Sequence, residues 1–599
     1  MKLLLSILFS ILIIFSNAQK PTDARLAGLD SIVNKALKDL HAVGVSIAVV
    51  EKNKIIYTGG FGFRDNEKKL PVTANTLFAI GSCTKAFTAS LLGILDKEGR
   101  LDLDKPVITY LPELKFQNEY TTQQATLRDL MCHRTGLPRH DLSWYGFPTT
   151  RDSLVKRIAY FEPTAPLRQT WQYNNFMFLV QGVVAEKITG KTWEQNVRER
   201  IFQPLGMSTS NFSVNDMQKS GEASKGYYEK KDSIRYVEYY NIDAMGPAGA
   251  INSSANEMAN WVMTWIYGGK FNGKEIIPAS FVNQAMISQM VAGAGLPDKS
   301  APDVQMSDYG FAWGINSYRG HYRVQHGGNI DGFSAITCFF PSDSIGIVVL
   351  INQSGSAVPG IIRNYISDKM LKLPYRDWMG ITKTAIFQQK MAGNIAKKSD
   401  SLYHKLNTKP SHQLADYTGY YENPGYGKIH IILKNDSLIA ISPNLNMWLQ
   451  HYHYDVFKPF SLKEAIDLEE DNPVRFKFEM NTTGDISSIA TIGIEPSVKQ
   501  VVFTKLPTVV PLTKEDMKKY TGEYLLAGNV IVTVYIKGEN TLMVLVPGQP
   551  DYELVPAGND LFNFKTLTGY SVKFMVNESK TVTSLNFNQP NGIFTAKKK

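Results

Sequence analysis

The sequence predicts an α/β domain built around one sheet, followed by two all-β domains. Three observations carry this. Strand-like segments stand at both ends of residues 23–375 with helical periodicity between them, so both ends of that stretch supply one sheet with helices packed around it. Past residue 405 the texture changes to alternating strands with closely spaced turn signals, the pattern of all-β architecture. That second half also repeats itself: residues 414–421 (LADYTGYY) recur as 517–524 (MKKYTGEY).

In order along the chain, residues 1–2 are a short basic start and 3–15 are apolar apart from two serines. Ser16-Asn17-Ala18 then places small residues at a cleavage site. This reads as a secretory signal peptide (1–18) cut after Ala18. Its apolar run falls short of the roughly 20 residues that cross a bilayer. The mature chain is expected to be periplasmic or secreted, with no transmembrane segment. Residues 19–375 read as the first domain. Within it, 23–40 predicts a helix with Leu26, Leu29, Val33, Leu37 and Leu40 on one stripe. Residues 46–62 predict two strands about a turn at 51–54. Strands return at 322–325, 334–340 and 345–352, and a helix at 359–373 closes the domain. Residues 376–408 read as a helical connector, 409–507 and 512–599 as two β domains. Both repeats end in a matching hairpin, 478–489 and 574–585. Closing each into a small barrel removes its sheet edges; paired sandwiches are the alternative.

Composition bounds the function. Of 599 residues 43% are hydrophobic and 20% charged, the balance of a globular protein and not of a disordered, collagen-like or multi-span membrane chain. Three cysteines exclude a disulfide-built scaffold. The apolar flanks of Cys83, Cys132 and Cys338 predict core packing. The net charge of +9 lies wholly in residues 1–400, since 401–599 carry equal numbers of acidic and basic side chains. No block of five or six like charges occurs, so no nucleic-acid partner is expected.

Three short motifs carry chemistry. Ser82-Cys83-Thr84-Lys85 opens an apolar helical run that Gly99 terminates. Lys85 therefore stands one turn from the Ser82 hydroxyl on the same face, and burial makes a lysine a base near neutral pH. Tyr173 and Asn175 are two residues apart on a segment read as extended, which points them the same way. Val324-Gln325-His326-Gly327-Gly328-Asn329 runs an apolar strand into a histidine and two glycines, where a ligand can approach the backbone closely. Each motif alone has a plain structural explanation: a helix cap, an aromatic strand, a hairpin turn.

In the order S-x-x-K, Y-x-N, H-x-G, the three together resemble the class C β-lactamase and penicillin-recognising serine hydrolase family, with its esterases, DD-peptidases and D-aminopeptidases. Residues 126–138 (TLRDLMCHRTGLP), 175–182 (NFMFLVQG), 204–207 (PLGM), 246–249 (GPAG) and 309–314 (YGFAWG) extend the likeness over roughly residues 23–375. The resemblance implies a β-lactamase/transpeptidase-like fold, an antiparallel sheet flanked by helices plus a helical subdomain. It implies that Ser82 becomes acylated, Lys85 takes its proton, Tyr173 shares proton traffic, and Asn175 binds the substrate amide and holds Lys85. The backbone around Ser82, Gly328 and Asn329 would form the oxyanion hole. No metal or cofactor is implied. Domain order and the repeat resemble bacterial D-aminopeptidases, with lipocalin-like barrels.

The third motif departs from the antibiotic-hydrolysing pattern, which has Lys-Thr/Ser-Gly where this chain has His326-Gly327. A mostly neutral histidine and a glycine weaken recognition of a substrate carboxylate. The expected activity is amide or ester hydrolysis on a small-molecule or short-peptide substrate, with poor β-lactam turnover. A β-lactamase or DD-carboxypeptidase is one alternative, and a sensor or binding protein of the same fold is another.

Overall fold

The structure is a computed structural model. It describes residues 23–599 except 294–295, 297–302, 304, 444, 464–465, 469–471, 496, 508–511 and 568, with the backbone alone for 396–402. The signal-peptide reading falls on residues outside the described part. Two compact units divide after Lys398.

The first unit is built from α1 (Leu29–Asp39), β1 (Gly44–Glu51), β2 (Lys54–Asp65), β3 (Leu70–Pro71), α2 (Thr84–Lys97), α3 (Asn175–Thr189) and α4 (Ala255–Ile266). Then come β4 (Met290–Val291), β5 (Asp308–Tyr309), β6 (Gly314–Tyr318), β7 (His321–Ile330), β8 (Phe333–Phe340), β9 (Ile345–Ile351) and α5 (Val358–Met370). The nine strands form one sheet in the order β4-β5-β6-β7-β8-β9-β1-β2-β3. Every pairing is antiparallel. The two chain ends meet where β1 pairs with β9, Val45 opposite Ile351 and Glu51 opposite Ile345.

All seven residues of β9 are buried, because helices cover both faces of the sheet. That is why the longest internal apolar run lacks alternation. Val45, Ile47, Val49, Ile347, Val349 and Ile351 share one core with α1 and α5. On the other face α4 lies so close that a Cβ on Gly346 would stand 2.2 Å from Val262. Helix α2 is buried nearly all round, and Phe87 stacks on Trp261 at 3.8 Å between ring centroids. Cys83, Cys132 and Cys338 are free and buried, as core packing requires.

Two sequence expectations change. The first helix is broken: a 3-10 turn at Ala24–Leu26 precedes Gly28, whose φ of +84° only glycine adopts freely, and α1 starts after it. The strand read over 322–325 is longer, and the hairpin-turn alternative for His326–Asn329 does not hold. Strand β7 continues through it to Ile330, and the reversal comes at Asp331–Gly332, with Gly332 at φ +80°.

The second unit holds two closed eight-stranded antiparallel barrels. The first strand Gly419–Asn423 pairs back with the last, Gln500–Lys505, and Gly522–Leu526 does the same with Gly592–Lys598. The repeated sequence writes the same bonds twice. The Tyr417 hydroxyl donates to Asp455 and the Tyr520 hydroxyl to Asp560. Tyr421 donates to the Tyr417 carbonyl at 2.8 Å, and Tyr524 to the Tyr520 carbonyl at 2.7 Å. Lys505 and Lys598 cap the Asp416 and Lys519 carbonyls at 2.6 and 2.9 Å. The predicted hairpins pair end to end, Phe478 with Ile489 and Phe574 with Leu585. Closure removes the edges that open sandwiches would leave. Among the described residues no helix is long and apolar enough to cross a membrane.

Candidate active site

Ser82 sits in a 3-10 turn, Gly81–Cys83, that runs into α2. Gly81 takes φ +49°, and a Cβ there would stand 2.9 Å from the backbone nitrogen of Asn329. Across the gap, a Cβ on Gly328 would stand 1.9 Å from the Ile80 carbonyl oxygen and 3.0 Å from the Ser82 nitrogen. The glycines in both motifs thus let strand β7 lie directly on the turn that carries the nucleophile. The Cys83 thiol ties the two together by donating to the His326 carbonyl at 3.3 Å. Its role is packing, and burial pushes its pKa up to about 11.

Lys85 is fully buried. Its Nζ donates to Asn175 Oδ1 at 2.7 Å and to the Ala248 carbonyl at 2.7 Å, and lies 3.0 Å from Ser82 Oγ. It also lies 4.9 Å from the centre of the Tyr173 ring. Burial, with Arg139 as the next cause, holds its pKa well below the lysine range. The amine is thereby kept ready to accept a proton. Burial drives Tyr173 the other way, above the ordinary phenol range, and the Ser82 side chain offsets this only in part.

Asn175 is the first residue of α3, not part of a strand as the Y-x-N spacing predicted. Its neighbour Asn174 caps the helix by accepting from the Met177 N–H at 3.3 Å. Helix-start geometry, rather than strand alternation, brings Tyr173 and Asn175 together. The Asn175 amide is oriented from behind: Nδ2 donates to Asp141 Oδ1 at 2.9 Å, which leaves Oδ1 for Lys85. Asp141 also accepts from Trp144 Nε1 at 2.9 Å and pairs with Arg139 at 2.6 Å.

His326 points at the site but is engaged at both nitrogens. Nδ1 faces the Gly327 carbonyl at 2.6 Å and therefore carries the proton, so Nε2 accepts from the Tyr309 hydroxyl at 2.8 Å. Burial lowers its pKa to about 3, so the ring is neutral. The structure thus brings Ser82, Lys85, Tyr173, Asn175, His326, Gly328 and Asn329 into one place.

Sequence reasoning missed four contributors: His133, Arg139, Asp141 and Tyr309. His133 and Tyr309 stood in the family-like blocks without a role, and Arg139 and Asp141 had no signal at all. His133 brackets Tyr173. The Gln172 N–H donates to its carbonyl at 2.8 Å and the Asn174 N–H to its Nδ1 at 3.1 Å, while its ring lies 4.3 Å from that of Tyr173. Asparagine can replace the Nδ1 acceptor and leucine cannot. His133→Leu is expected to lose about a hundredfold in kcat with KM little changed, the scale of a 1 Å misplacement. His133→Asn is expected to recover most of that loss in the same steady-state assay. Equal activity in both variants would remove the positioning role.

Comparison with known proteins places the chain in a family. The family model described as Beta-lactamase matches residues 29–369. A domain of unknown function, DUF3471, matches residues 404–505. Unguisins hydrolase ungD' of Aspergillus campestris (strain IBT 28561) is 30% identical over 424 residues, spanning 67% of this chain and 76% of the relative. Protein flp of Staphylococcus aureus (strain MRSA252) is 24% identical over 341 residues, 56% of this chain and 64% of flp. The octameric penicillin-binding protein homologue from Pyrococcus abyssi superposes with a TM-score of 0.52 at 20% identity, covering 80% of this chain and all of that one. With most of its first unit matched by that model, the chain belongs to the β-lactamase family and is a serine hydrolase.

Proposed function

We propose that this protein is an exported serine hydrolase that cleaves amide or ester bonds of small peptides through an acyl-enzyme. The observation that carries the reading is the buried Lys85 amine, 3.0 Å from Ser82 Oγ and held below its usual proton affinity. Lys85 takes the Ser82 proton as Oγ attacks the substrate carbonyl. Tyr173, protonated at rest, hands its proton to the leaving atom and receives in exchange the proton that Lys85 took from Ser82. The Ser82 and Asn329 N–H groups stand on facing backbone and receive the developing oxyanion. Asn175, steered by Asp141, holds Lys85 and offers its amide to the substrate. Water then releases the acyl group. Neutral His326 shapes the strand edge without adding charge. The name of the Aspergillus relative supports hydrolysis as the reaction, and export rests on the leader in residues 1–18.

The test is intact mass after treatment with a fluorophosphonate. The wild-type protein is expected to gain one adduct and Ser82→Ala none. No adduct on folded wild type would overturn the reading and favour a binding protein of the same fold.

A further inference from the structure

We propose that Arg139 is a positioning residue whose charge cancels that of Asp141, so that Asp141 can orient Asn175 without holding a proton on Lys85. The proposal deepens the hydrolase reading above and rests on it.

Asp141 stands behind the reacting groups with a definite task. Its Oδ1 accepts from Asn175 Nδ2 at 2.9 Å and from Trp144 Nε1 at 2.9 Å, which leaves Asn175 Oδ1 facing Lys85 Nζ at 2.7 Å. A carboxylate only accepts, so it fixes which end of the Asn175 amide faces which way. An amide in its place could present either end. The same carboxylate works against the base. An anion on the far side of Asn175 favours the ammonium form of a buried amine, and a Lys85 that keeps its proton cannot take one from Ser82.

Arg139 removes that conflict. Its Nε donates to Asp141 Oδ2 at 2.7 Å and its Nη2 lies 2.6 Å from the same oxygen. The ion pair thus leaves Oδ1 to Asn175 and Trp144. The guanidinium carbon also lies 5.0 Å from the centre of the Tyr173 ring, against which Lys85 Nζ stands at 4.9 Å. One fixed cation therefore faces both groups that carry the proton. It disfavours the ammonium of Lys85, and it favours a Tyr173 oxygen that is giving its proton away. His140, between the pair, takes φ +51° and stacks on Phe161 at 4.5 Å between ring centroids, which anchors the segment.

The other titratable groups around Lys85 are kept neutral by burial: Cys83 beside the nucleophile, His133, Tyr309 on β5 and His326 on β7. Arg139 and Asp141 are the charges left to act on it. The Arg139 side chain is 46% exposed. Water therefore weakens its field, and the expected effect is about tenfold rather than a thousandfold.

The experiment follows the rate of fluorophosphonate labelling of Ser82 across pH. On the rising limb of wild type, Arg139→Gln is expected to label about tenfold slower. Its limb is displaced to higher pH, so the deficit closes as pH rises. Arg139→Lys should keep the wild-type limb. Adding Asp141→Asn to Arg139→Gln should return the limb to its wild-type position on a lower plateau, because the anion is gone along with the fixed amide orientation. A loss of equal size at every pH, a limb moved to lower pH, or a double variant that keeps the displaced limb would overturn the role. NMR of protein labelled with carbon-13 at lysine Cε reads the same protonation without any reaction, the Lys85 signal being assigned by its loss in Lys85→Met. A Lys85 titration displaced to higher pH in Arg139→Gln supports the role even where no labelling occurs and the hydrolase reading falls. An undisplaced titration overturns it even if hydrolysis is established.

Discussion

Replacing Lys85 with methionine is expected to lower kcat/KM by about a thousandfold or more, within the range of a lost general base. The side chain is buried beside Ser82 and Asn175, so nothing from solvent takes its place. Lys85→Arg should fail as badly. A guanidinium keeps its proton across the accessible pH range, and the reaction needs an acceptor. The pH profile of wild type checks the same point. Burial lowers the Lys85 pKa, so the neutral base persists below the ordinary lysine range. Activity therefore rises with pH through that lowered pKa and is flat above it. Tyr173 is shifted upward and stays protonated, so it adds no limb at neutral pH. A profile that climbed only near pH 10 would mean an unshifted lysine, and the assignment of the base would fall.

Gly328→Ala is expected to cost about a hundred- to a thousandfold in kcat, the scale of losing an oxyanion donor. The new methyl would stand 1.9 Å from the Ile80 carbonyl oxygen and 3.0 Å from the Ser82 nitrogen, both backbone atoms that cannot rotate away. The strand and the nucleophile turn must separate, which moves the Ser82 and Asn329 N–H groups apart. Gly327→Ala offers the comparison, because its methyl would meet only the Ala335 carbonyl oxygen at 3.8 Å. It should cost far less. Rates of fluorophosphonate labelling, measured beside circular dichroism to confirm folding, separate a damaged site from a damaged fold. Similar labelling rates in the two variants would show that the close approach does not matter.

The sequence by itself determined the architecture and singled out the candidate reacting groups. Those signals are local: a serine and a lysine one helical turn apart, apolar runs of strand length, and a Tyr-Thr-Gly-x-Tyr repeat that makes the same bond at the start of both barrels. Local patterns misled where a glycine had two uses. Gly28 breaks a helix that periodicity ran through, and Gly328, read as a place for a ligand to approach the backbone, also admits the backbone of the nucleophile turn. Only the tertiary structure decided the rest. His133, Arg139, Asp141 and Tyr309 act by contacts with residues distant in sequence. The protonation of Lys85, Tyr173 and His326 follows from desolvation. Proton affinity and the pairing of charge are set by what surrounds a group in space, and that surrounding is assembled from segments far apart in the chain.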